Sequence, residues 1–222
     1  MKNILLLILV FITTSFATAQ TTNVIATGAS WKYWDTGSLP STDWNTLAYT
    51  DAAWNSGVSQ LGYGDNPPDE ATIVGYGTDV LNKYPTTYFR KTISITNSNT
   101  VTVITGRVKR DDGAVIYFNG TEVLRSNMPA GSVGYATYAS TQNNSDENTW
   151  FDFTVPVSLL QEGNNVISVE IHQFNPGSSD LTFDLELATT ISNNPTTNSV
   201  VINEIQAAND TVIKDNTGNY ED

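Results

Sequence analysis

The sequence predicts an all-β protein built as a β-sandwich, and three observations carry that prediction. Apolar and polar residues alternate with period two in three separate stretches, Thr86 to Thr96, Val166 to Gln173 and Leu181 to Leu187. Asn119-Gly120 stands between two β-branched and aromatic runs, Ala114 to Phe118 and Thr121 to Arg125. Both residues of that pair tolerate positive φ, so it reads as a two-residue hairpin turn. No stretch of ten or more residues beyond the apolar N-terminal segment has helical periodicity.

Composition narrows the functional classes. Hydrophobic residues make up 39% of the 222 and aromatics 10%, enough to build a core. There is no cysteine, which removes disulfides, thiolate metal sites and thiol nucleophiles together. Ten basic residues face 23 acidic ones, a net charge of −13 that repels phosphate backbones and excludes nucleic acid as a natural partner. At the N-terminus, Lys2 supplies a positive residue, Ile4 to Ile12 an apolar run too short to span a bilayer, and Ala17-Thr18-Ala19 a small-residue cleavage pattern. Residues 1–19 therefore read as a signal peptide, cut after Ala19, of a secreted or cell-surface protein. No span is expected in the mature chain.

Taken in order, Asn23 to Ala26 is a candidate edge strand and Trp31, Trp34, Trp44 and Trp54 form a Trp-rich region. These indoles have two readings, core caps satisfied by loop carbonyls or flat platforms for a sugar ring. Gly62 to Glu70 reads as a loop by its Gly and Pro content. Asp65, Asp69 and Glu70 gather three carboxylates there, either a solvated acidic loop or a calcium site with oxygen ligands, although the spacing is not that of an EF-hand. Thr86 to Thr96 and Thr100 to Lys109 are strands, with Gly106 a bulge or bend. Asp111-Asp112-Gly113 reads as a polar turn feeding the hairpin, one Asp capping the next amides, with calcium ligation as the alternative. Ser126 to Asn148 is a long loop, Trp150 to Val155 a strand, and Val157 to Gly163 a short helical turn ended by glycine. Thr189 to Ser199 reads as a linker, and Val200 to Ile205 opens a further strand.

Asp43-Trp44, Asp51 to Trp54, Thr87 to Lys91, Asp111 to Gly120 and Asn165 to His172 occur in the order that resembles galactose-binding-domain-like jelly rolls. They are similar to the non-catalytic sugar-binding domain of β-galactosidase-type glycosidases. The resemblance implies a jelly-roll domain over residues 20–188. It names no ligand, since such domains bind sugars, lipids or proteins. Val201 to Asn209 and Asp215 to Asp222 resemble the opening of a lamin-tail domain, an immunoglobulin-like sandwich. A jelly roll, a linker over 189–199 and a truncated lamin-tail domain over 200–222 resemble secreted proteins of Bacteroidetes-type bacteria.

Catalysis finds little support. The one histidine, His172, shares a strand face with Ser168 and Glu170. Neighbours at i and i+2 lie about 6.5–7 Å apart, too far for a nucleophile–base hydrogen bond, and a structural histidine is the simpler reading. No carboxylate pair stands out as a glycosidase acid and nucleophile. The candidate ligand-binding residues are Trp34, Trp54, Tyr63, Asp111 and Asp112. The candidate calcium ligands are Asp65, Asp69 and Glu70. The expected function is a non-catalytic binding or spacer module that contacts carbohydrate or cell-surface components. The alternative is an accessory N-terminal region of a secreted hydrolase or kinase-like enzyme.

Overall fold

The period-two stretches are strands, and they pair into two sheets. The structure, a computed structural model, describes residues 19–65, 69–142 and 148–192, together with Thr217. The proposed signal peptide up to residue 18, residues 193–199 of the expected linker and the lamin-tail segment lie outside the described residues, Thr217 apart. Twelve strands are described: β1 (Ala19–Ile25), β2 (Ser30–Trp34), β3 (Asn55–Val58), β4 (Leu61–Tyr63), β5 (Thr72–Ile73), β6 (Thr86–Ile95), β7 (Val101–Asp111), β8 (Gly113–Phe118), β9 (Thr121–Ser126), β10 (Trp150–Thr154), β11 (Gly163–His172) and β12 (Leu181–Ser192).

The first sheet runs β10-β7-β12-β4-β5, with β1 also on β12, and the second runs β3-β2-β6-β11-β8-β9. From β6 onward the chain crosses repeatedly between sheets, as a jelly roll does. The only parallel pairing described is β4 with β5. Phe89, Ile116, Val169 and Ile171 of the second sheet meet Val108, Phe153, Phe183 and Leu185 of the first in one core. Phe89 stacks on Phe183 at 4.2 Å between ring centroids, and Trp31 meets Phe183 edge-on at 4.9 Å.

The hairpin forms as its sequence requires, with Asn119 at φ 49° and Gly120 at φ 84°. Asn119 also acts at longer range. Its Oδ1 accepts from the Val166 amide at 2.8 Å, and its Nδ2 donates to the Leu159 carbonyl at 2.9 Å. Three expectations change. Gly106 is not a bulge: it keeps register with Phe153 and Leu187, and a Cβ there would meet the Phe153 ring at 2.3 Å. Gly62-Tyr63 is not loop but buried strand β4, because Gly62 lets the backbone approach Leu181 across the pairing. Thr189 to Ser192 belong to β12, where they pair with Ala19 to Thr22, so the sheet outlasts the expected domain end at residue 188.

Most of the outer face of the second sheet is covered. Trp44, Trp54 and Tyr88 form a second apolar cluster, flanked by Trp34, Tyr49, Tyr117 and Tyr135. Arg90 of β6, only 2% exposed, pins the covering segment. Its guanidinium donates to the carbonyls of Trp44, Thr46 (3.0 Å) and Tyr49 (3.2 Å), and to the Asp51 carboxylate at 3.1 Å. On the same sheet the segment around residues 135–140 docks through the Thr137 carbonyl and the Ala139 amide.

Candidate ligand-binding site

Register places a set of polar side chains on the outer face of the first sheet, because cross-strand partners point to the same side. One row holds Thr154, Thr105 and Ala188, with Asn23 beyond. The next holds Asp152, Arg107 and Glu186, and the third Trp150, Lys109 and Asp184. Between β1 and β10 the first two rows line an open trough of about 570 Å³.

Arg107 is its organising residue. Its Nε donates to Glu186 Oε2 at 2.6 Å, and its guanidinium lies 4.7 Å from the Trp150 ring centroid. The Thr27 hydroxyl donates to the other Glu186 oxygen. These bonds hold the Glu186 carboxyl below its ordinary value, and Glu186 in turn raises the Arg107 guanidinium. The side chains of Asn23, Thr105, Asp152 and Thr154 and the Nη groups of Arg107 make no hydrogen bond to the described residues. Donors and acceptors thus stand interleaved and unengaged around the trough.

The third row leads to the carboxylate cluster. Lys109 Nζ donates to Gln60 Oε1 at 2.8 Å and to Asn148 Oδ1 at 3.0 Å, and it lies 3.7 Å from Asp69. Buried Asp184 accepts from the Ser59 hydroxyl at 2.5 Å. Burial raises its carboxyl, and these bonds oppose the rise. Asp65, Asp69 and Glu70 bring one oxygen each within 4.8 Å of one another. Gln60 Nε2 donates to both Asp65 and Asp69, and Thr182 to Asp65 at 3.2 Å. Burial first, and the neighbouring Asp69 next, push the Asp65 carboxyl up to about 6. The oxygen-only donors fit calcium. The Lys109 ammonium and the Gln60 amide already answer part of that negative charge.

The other candidate ligand residues are placed differently. Trp54, Tyr63, Asp111 and Asp112 are buried, and Trp34 is half-buried against Trp54 at 6.0 Å between ring centroids. The Trp54 indole donates to the Tyr49 hydroxyl at 3.1 Å, and Trp34 donates to the Ser38 carbonyl at 3.1 Å. The Trp54 indole is therefore a core cap rather than a platform, because the Arg90-held segment covers it, and Trp34 stays half-buried against it. The Tyr63 hydroxyl accepts from Gln173 at 2.9 Å, and burial raises its phenol. Asp112 caps neither Gly113 nor Ala114. Its Oδ2 accepts from the Phe174 amide at 2.7 Å and the Ser178 hydroxyl at 2.9 Å, tying the β7–β8 junction to the turn before β12. Burial raises its carboxyl against those bonds.

Ser168, Glu170 and His172 are all buried. His172 Nδ1 lies 2.7 Å from the Thr137 carbonyl, which can only accept, so Nδ1 carries the proton. Nε2 then faces Glu170 at 3.5 Å, while Glu170 Oε1 accepts from the Tyr117 hydroxyl at 2.8 Å. His172 thus ties the segment bearing Thr137 to the sheet.

Sequence reasoning missed Arg107, Asp152, Glu186 and Trp150 as one site. The alternation marked Asp152 and Glu186 as outward-facing, but only strand pairing puts Arg107 between them.

Fold and trough define the class: a jelly-roll-type β-sandwich module with one sheet face largely capped and the other presenting a polar trough. Among the solved structures that share the fold are two β-glucuronidases. Bacteroides uniformis β-glucuronidase matches with a TM-score of 0.51 and 16% identity, over 78% of this chain and 18% of the enzyme. Bacteroides uniformis β-glucuronidase 2, covalently bound to cyclophellitol-6-carboxylate aziridine, matches with a TM-score of 0.50 and 17% identity, again over 78% of this chain and 18% of the enzyme. This chain thus spans under a fifth of the length of those enzymes, and at such identity the likeness is one of fold. No family model and no curated protein sequence matches the chain.

Proposed function

We propose that residues 19–192 form a non-catalytic carbohydrate-binding module of a larger secreted or cell-surface protein, with the trough on the first sheet as its binding face. The observation that carries this reading is the set of unengaged donors and acceptors around Arg107, beside the Trp150 ring. Sugar hydroxyls both donate and accept, so they answer such a mixed set. The fold supports the reading, since it matches part of two glycosidases. The signal-like N-terminus supports export, and no helix among the described residues is long and apolar enough to cross a membrane. The carboxylate cluster is a candidate structural calcium position, its three oxygens close enough to share one ion.

A second reading, an accessory region of a larger hydrolase, is favoured by the small share of those enzymes that this chain covers. Calorimetric titration with glycan panels tests the binding role. Heat that saturates and is lost in an Arg107→Ala variant supports it. Absence of binding across the panel, with calcium present, leaves a spacer.

A further inference from the structure

We infer that the trough selects neutral glycans and rejects polyuronates, an inference that rests on the carbohydrate-binding role proposed above. The first step is the charge of the site. Arg107 stands on β7 with Asp152 paired on one side and Glu186 on the other, one cation between two carboxylates. In the next row Lys109 is committed to Gln60 and Asn148 and lies beside Asp69. It does not reach out as a spare cation.

The second step is which groups still need partners. Glu186 is satisfied, one oxygen by Arg107 and the other by Thr27. Arg107 Nε is spent on Glu186, so the guanidinium cannot offer a carboxylate its Nε–Nη edge. Its two Nη groups remain. Asp152 is exposed and has no donor among the described residues. It is an acceptor-only group at neutral pH and needs hydroxyls or water.

Asp152 and Arg107 sit on adjacent strands, about 4.8 Å apart at the backbone. One sugar hydroxyl can accept from an Arg107 Nη while a neighbouring hydroxyl donates to Asp152. Thr105, Thr154 and Asn23 extend the same mixed lining along the trough. A uronate carboxylate placed against Arg107 would instead sit beside Asp152 and Glu186, and like charges at that range repel. The net charge of −13 adds a longer-range repulsion that salt screens.

The test is affinity electrophoresis and calorimetry of the full chain. Neutral probes are mixed-linkage β-glucan, xylan, galactan and mannan oligosaccharides, and anionic probes are polygalacturonate and alginate, each at low and high salt. Saturable binding of at least one neutral glycan is expected, with polyuronates bound at least about tenfold more weakly. Asp152→Asn should weaken the neutral glycan about tenfold and narrow the gap to polyuronates. Asp152 is exposed, and an unchanged melting temperature would show the variant folded. Wild-type chain that binds polyuronates as tightly as neutral glycans overturns the inference and leaves the carbohydrate role standing. Neutral binding that neither Asp152→Asn nor Thr154→Val changes also overturns it, since the trough is then not the contact. Binding to no glycan of either class overturns the carbohydrate role and the inference with it.

Discussion

Replacing Arg90 by Met is the sharpest test of how the Trp-rich segment is held. Met keeps much of the apolar stem that packs under the loop and removes the guanidinium. The lost bonds run to the Trp44, Thr46 and Tyr49 carbonyls and to the Asp51 carboxylate, the last three at 3.0–3.2 Å. The guanidinium also lies 5.1 Å from the Tyr49 ring. Hydrogen bonds from a charged donor contribute about 1.5–3 kcal/mol each, but carbonyls near the surface regain water when the segment lifts. Breaking a buried pair from one side typically destabilises by about 3–5 kcal/mol. For a domain of this size each kcal/mol lowers Tm by about 2–4 °C, so Arg90→Met should melt roughly 6–20 °C lower. Trp44 and Trp54, only 5% and 4% exposed, should move into water and shift Trp emission to the red. Asp51→Asn is the control: an Asn oxygen can still accept from Arg90 and the three carbonyl bonds remain, so it should destabilise clearly less than Arg90→Met. An Arg90→Met variant that melts within about 2 °C of wild type, with unshifted emission, would refute the account. It would also reopen the reading of Trp34 and Trp54 as exposed platforms.

Three further outcomes can be measured by melting. The Asp65 carboxyl is raised from an ordinary 3.8 to about 6, so the folded state binds its proton more tightly than the unfolded state. Its contribution is therefore a destabilisation that is absent below pH 4, grows as pH rises through 6 and is complete above it. Asp65→Asn should raise stability at pH 8 by about 1 kcal/mol after solvent screening, with no gain at pH 4. Equal effects at both pH values in urea melts would count against it. Calcium should raise the Tm of wild type more than that of Asp65→Asn, and a wild-type Tm indifferent to chelator removes the metal. Gly62→Ala places a Cβ 1.9 Å from the Leu181 carbonyl oxygen, a backbone atom that cannot swing aside. It should destabilise by about 1–3 kcal/mol or more in thermal melts, and a neutral variant would contradict the β4–β12 pairing.

The strands that could be read from sequence are those with one clean apolar face. β6, β11 and β12 carry that face toward the opposite sheet, and the β8–β9 hairpin announces itself through Asn119-Gly120. β2 and β4 could not be read this way, for opposite reasons. In β2, Trp31, Tyr33 and Trp34 are large on both sides, because the strand lies between the main core and the covering segment. In β4, glycine replaces the outward residue, so the alternation vanishes where the backbones come closest. The carboxylate cluster was legible because its members are neighbours in sequence. The trough was not, since its central ion pair joins residues 79 positions apart, and pairing register carries no local signal.

The same distinction bears on where the proposed ligand recognition belongs. In a two-sheet sandwich each sheet has one face committed to the core, so binding faces are drawn from the two outer faces, the rims and the loops. The second sheet has spent much of its outer face. Arg90 pulls the Trp44–Asp51 segment over Tyr88 and Tyr117, and His172 receives the segment bearing Thr137. Of the aromatic residues that look from sequence like a sugar platform, this capping buries Trp54 and leaves Trp34 half-buried, and it makes that sheet a support. The first sheet keeps its middle strands open between β1 and β10, and there Arg107, Asp152 and two threonines have unused hydrogen-bonding capacity. A ligand on this side meets strands rather than loops, so the positions of the contacting groups are set by backbone pairing. Substitutions in the Trp-rich segment should thus act on stability, and those at Arg107 and Asp152 on binding. A variant such as Arg90→Met that melts lower yet, below its transition, binds glycan as wild type does would separate the two sheets' roles. Loss of binding in fully folded Arg90→Met would place recognition on the capped face instead.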